Sequence, residues 1–125
     1  MPALAADAST RDRFFDSLRD VDRRRREPWV LEALRYLNHP LRADHARKYI
    51  RPGLDLLVDI RRTGDIFFPR NWMDALLSGH NSAEAATAVR AFLKESPDYP
   101  IRLRRIILQT ADPLFRATAD ETKRP

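Results

Sequence analysis

Three histidines, several arginine clusters and one pair of carboxylates a helical turn apart are the residues of this chain with chemistry to offer. A helical zinc hydrolase needs two histidines one turn apart with a glutamate between them, so that both imidazoles reach one metal beside a base. His39 and His45 are six positions apart across Pro40, with Asp44 between them, and His80 follows Gly79 in a loop. None has a second histidine four residues away, so each is read as structural or solvated rather than as a ligand. Asp55 and Asp59, at i and i+4, could share a proton if buried, but Arg51 and Arg62 give them an ordinary place on a solvated face. The chain has no cysteine, which removes thiolate catalysis, disulfides and Cys-ligated zinc. Its three glycines make no phosphate-cradling loop, and no spacing of Ser, Thr and His pairs a nucleophile with a base. No catalytic and no metal-ligating residue is expected here.

Two groups remain as candidate binding residues. Arg23 to Arg26 follow the first predicted helix and suit its negative end, while Arg102, Arg104 and Arg105 line an outward face of the last one. A guanidinium fork matches a carboxylate bidentately, which makes Arg102, Arg104 and Arg105 the candidate carboxylate contacts. Phe67, Phe68 and Trp72 form an aromatic cluster, read either as core or as a face that docks onto another domain. The second alternative would leave an apolar patch prone to dimerise.

Helices must position these groups. The length of 125 residues suits one domain, and 43% apolar residues suffice for a core. Mean hydropathy of −0.54 excludes a membrane protein, and no apolar run approaches the ~20 residues a spanning helix needs. MPALAADAST shows no charged region followed by an apolar one, so no secretory leader is visible and the compartment, cytoplasmic or periplasmic, stays open. Net charge is +5 with a pI near 10.2, yet the basic residues are 20 Arg against 3 Lys. A phosphate-binding surface more often mixes in lysine, so nucleic acid is not the expected partner.

The periodicity predicts six to seven helices, all-α, in antiparallel pairs stacked in a HEAT-like or armadillo-like superhelix. Residues 1–9 read as a flexible segment, 10–118 as one helical domain and 119–125 as a disordered tail. Ser9 or Thr10 is the expected first cap, and Pro28 opens the second helix. Pro52 is expected to break or kink the third, with Gly64 at the C-terminal end of its continuation. Ala85, Ala88, Val89 and Phe92 give one buried stripe, and Leu103, Ile106, Ile107, Ala111 and Leu114 another, interrupted by Pro113.

Five segments in order, EPWVLEALRYLNHPLR (27–42), YIRPGLDLLVDIRRTGDIFFPRNW (49–72), GHNS (79–82), FLKESPDYP (92–100) and LQTADPLFRA (108–117), carry a resemblance. Together they resemble the C-terminal helical domain of bacterial zinc aminopeptidases of the aminopeptidase N family. That resemblance implies a multidomain peptidase in which this domain closes over a zinc-bearing catalytic domain. Its basic residues would receive the far end of a peptide, here Arg102, Arg104 or Arg105. HExxH, its downstream Glu ligand and the GxMEN motif are absent, so the zinc would belong to the catalytic partner and no catalytic residue carries over. The implied partners are that catalytic domain and a peptide substrate.

Overall fold

The computed structural model describes residues 7–123, and the side chains of 7–119. The helices are α1 (Ala8–Ser17), α2 (Glu27–Leu37), α3 (Ala43–Ala46), α4 (Ile50–Asp55), α5 (Leu57–Thr63), α6 (Phe68–Leu77), α7 (Ala83–Glu95) and α8 (Ile101–Lys123). Short 3-10 turns fill Val21–Arg24, Pro40–Arg42 and Arg47–Tyr49. α3 is a single turn, so seven helices of six residues or more carry the fold, with no strand among the described residues. The all-α class predicted from periodicity holds.

α6 occupies the centre. Phe68, Trp72, Met73, Leu76 and Leu77 are buried, while Arg70, Asp74 and Ser78, at i, i+4 and i+8, are exposed. A helix apolar around most of its circumference must be covered on several sides, and α2, α4, α5 and α8 all pack on α6. Trp72 has no exposed surface, and its indole N–H donates to the Gly53 carbonyl at 3.1 Å, the partner a buried indole requires. α7 packs on α4 and α8 through the predicted stripe of Ala85, Val89 and Phe92. α5–α6 and α7–α8 are neighbours in sequence that pack, but α2–α6 and α6–α8 pack as well, gathering the helices round one member.

α1 is fastened from its side. Phe15 stacks on Tyr49 with centroids 4.7 Å apart, and Asp12 accepts from the Tyr49 hydroxyl at 2.6 Å and Lys48 Nζ at 2.8 Å. Burial, then the Asp12 contact, raises the Tyr49 pKa, so the phenol stays a donor. The Lys48 and Tyr49 hydrogen bonds hold the Asp12 carboxyl below its usual range.

Several local expectations change. The first cap is Asp7, whose carboxylate accepts from Ser9 N at 3.2 Å and the Thr10 hydroxyl at 2.8 Å; Ser9 and Thr10 lie inside α1. Arg23 to Arg26 do not end α1, which stops at Ser17; a turn and a 3-10 segment capped by Asp20 intervene. Pro52 does not break its helix, because it stands in the first turn of α4, where backbone N–H groups have no intrahelical acceptor. The interruption falls at Leu56 instead. Gly64 closes α5 with extended backbone (φ −108°, ψ −177°) rather than a left-handed turn. α8 continues on both sides of Pro113, past the boundary expected at 118, through residues assigned to the tail. Residues 1–6 of the expected flexible segment and 124–125 of the tail lie outside the described residues.

Candidate functional site

The three candidate arginines of α8 separate. Residues 102 and 105 share a helix face and residue 104 points the other way, as a 3.6-residue period requires. Arg104 Nη2 donates to the carbonyls of Leu93 at 3.1 Å and Ser96 at 3.0 Å, closing the C-terminal end of α7. Its guanidinium is thereby occupied in holding α7 to α8. Arg105 is exposed. Arg102 lines a cleft of about 480 Å³ with Arg61, Asp65, Ile66, Leu103 and Ile106. No carboxylate lies within ion-pair distance of Arg61, Arg102 or Arg105 among the described residues.

The aromatic cluster also splits. Phe68 and Trp72 meet edge to face, with centroids 6.0 Å apart, inside the core. Phe67 precedes the first residue of α6 and is 68% exposed, beside Ile66 at 84%. The pair is held rigidly. Asp65 N donates to Glu27 Oε2 at 3.0 Å, and Asp65 Oδ1 accepts from Phe67 N at 2.9 Å. Two bulky apolar side chains thus stand in water, with Ile66 on the wall of the Arg61–Arg102 cleft.

The histidines stay apart. His39 Nδ1 accepts from Leu41 N at 3.1 Å, and His45 Nε2 lies 3.6 Å from Asp12. His80 is buried between α6 and α7. Asn38 fixes its tautomer: the amide nitrogen donates to Leu34 O at 2.9 Å, leaving Oδ1 to accept from His80 Nε2 at 2.9 Å. His80 Nδ1 has no partner. No group of three or more His, Asp or Glu that could hold a metal gathers among the described residues. Asp55 and Asp59 share no proton site. Asp55 lies 3.5 Å from Arg51, whereas Asp59 bonds Arg24 and Arg62, whose hydrogen bonds, Arg62 first, hold its carboxyl below the usual range.

Burial, aided by the charge of Arg47, lowers the His80 pKa from 6.5 to about 4. Between those values the unfolded chain binds a proton that the folded one refuses, so stability falls with falling pH across that window and levels below it. Urea unfolding should show a loss of about 3 kcal/mol from pH 7 to pH 4 that His80→Gln removes. An unchanged slope in that variant would assign the loss elsewhere.

Sequence reasoning missed the buried arginine of the 23–26 run. Arg24 is 2% exposed, its Nη1 donates to Leu18 O at 2.7 Å and Arg19 O at 3.2 Å, and its Nη2 donates to Asp59 and to Thr63 Oγ1 at 3.3 Å. Nothing in four identical neighbours marks the one that turns inward.

The fold and this cleft define an all-helical domain with a basic, partly apolar groove. The chain matches no protein-family profile, no curated protein and no solved structure. No helix among the described residues is long and apolar enough to cross a membrane.

Proposed function

We propose that this chain is the non-catalytic helical cap of a zinc aminopeptidase, walling the substrate chamber and receiving the far carboxylate of a peptide. A zinc-bearing catalytic partner belongs to the same proposal. The context is the ordered set of segments between Glu27 and Ala117 that resembles the family's C-terminal domain. The observation that carries the reading is the cleft beside α8, where Arg61 and Arg102, with Asp65 also on the wall, flank the apolar surface of Ile66, Leu103 and Ile106. Guanidinium groups without an acidic partner, set against apolar walls, favour a carboxylate attached to an apolar residue. The exposed Ile66 and Phe67 are the surface by which the cap meets its catalytic domain.

Short apolar peptides with free C-termini should bind the chain in titration calorimetry, and Arg102→Ala should weaken them about tenfold, the worth of one charge-assisted hydrogen bond. The same peptides amidated at the C-terminus should bind weakly to both proteins. Equal losses for acid and amide would sink the carboxylate seat. The exposed Ile66–Phe67 pair also favours a second reading, a stand-alone helical interaction module. An HExxH-bearing domain encoded in frame with this chain selects the cap over the module.

A further inference from the structure

A second cleft, remote in sequence from the Arg61–Arg102 groove, lies between α1 and the start of α2. Its volume is about 350 Å³, within the range of small-ligand sites. Leu18 and Phe14 are buried at its base. Trp29, in the first turn of α2, stands edge-on to Phe14 with ring centroids 5.6 Å apart at 82°. The indole is 38% exposed although Pro28 and α2 hold its backbone in a fixed helix, so an aromatic wall faces solvent. Aromatic walls of this kind present an edge and a face to a further ring.

The arginines round this cleft divide into two sets. Arg19, Arg24 and Arg25 pair with Asp16, Asp59 and Asp22. Arg13 and Arg23, which line the cleft, have no carboxylate within ion-pair distance among the described residues. Arg13 makes a long hydrogen bond, 3.4 Å, to the Thr10 hydroxyl. Asp7, whose charge Arg13 feels, caps α1 through Ser9 N and the Thr10 hydroxyl. Acidic side chains thus pair with the neighbouring cations and leave the two at the aromatic wall without an ion pair among the described residues.

The geometry points to a binding site for an aromatic carboxylate, its ring against Trp29 and Phe14 and its carboxylate on Arg13 and Arg23. A free aromatic acid and the C-terminal aromatic residue of a peptide share that chemistry. A ring without charge would leave the two guanidiniums facing water, and an acid without a ring would leave the indole exposed. The site owes nothing to the Arg102 groove, so loss of either function leaves the other standing.

The two tryptophans make the test specific, because each gives one indole N–H signal in a proton–nitrogen correlation spectrum. Trp72 is buried and bonded to Gly53, and serves as the internal control. Phenylacetate should shift the Trp29 signal saturably and leave that of Trp72 unmoved, while phenylacetamide binds at least tenfold more weakly. Arg13→Gln and Arg23→Gln should each weaken phenylacetate about tenfold, the loss of one charge-assisted hydrogen bond. Arg102→Ala should not change it. Gly-Gly-Phe, run beside phenylacetate, identifies the source: tighter peptide binding assigns the site to chain ends, tighter phenylacetate binding to free acids. Equal shifts by acid and amide, movement of both tryptophan signals together, or no saturable shift would each overturn the assignment.

Discussion

Replacing Gly79 by alanine should destabilise the domain by about 4 kcal/mol or more, the largest single-residue effect expected in this chain. A Cβ built at position 79 would lie 1.7 Å from the Asn38 carbonyl oxygen and 2.9 Å from its carbon. Both are backbone atoms, so no rotamer change relieves the overlap. The glycine is required for space rather than for an unusual backbone angle, since no residue among those described has a positive φ. Its neighbour adds to the effect. Pushing the corner away from Asn38 also separates His80 from the amide that satisfies its Nε2. Urea unfolding followed by Trp72 fluorescence measures the loss, and Ser78→Ala, one residue earlier and exposed, should change stability by less than about 0.5 kcal/mol. A cost for Gly79→Ala below about 1 kcal/mol would show that the corner can open.

The second large effect belongs to Arg24. Arg24→Met keeps a long side chain but strips the hydrogen bonds to two carbonyls, Asp59 and Thr63. Breaking a buried charged partner costs about 3–5 kcal/mol in other proteins, and the lower end fits here because Asp59 is 31% exposed and retains Arg62. Arg24→Lys should recover little of it, since one ammonium cannot reach acceptors spread across α5 and the turn after α1. Asp59→Asn should cost markedly less than Arg24→Met, because the two carbonyls keep their donor. Equal costs would place the whole effect in the ion pair rather than in the Leu18 and Arg19 carbonyls.

The contrast between Arg24 and Arg104 shows where the sequence speaks and where it falls silent. Helical period alone separates residue 104 from 102 and 105, so its turn toward α7 was legible once α8 was drawn. The inward turn of Arg24 depends on a 3-10 segment and on an acceptor on α5, neither of which leaves a periodic mark. Phe67 and Phe68 differ for a similar reason: one helix boundary between identical residues sends one into the core and the other into water. The buried stripes of α7 and α8 were readable because burial there repeats every third or fourth residue. The partnership of Arg61 with Arg102 was not, because two arginines on separate helices carry no sign that one cleft joins them.

The position of α6 has a consequence for how the chain tolerates change. In a solenoid each repeat leans only on its neighbours, so a hairpin can be gained or lost while the rest endures. Here one helix is the common wall of α2, α4, α5 and α8. Deleting any helix pair strips a side of that wall, and the apolar surface of Trp72, Met73 and Leu76 has nowhere else to go. The molecule is therefore built round a keystone: losing any of the four helices that lean on it would unseat the rest.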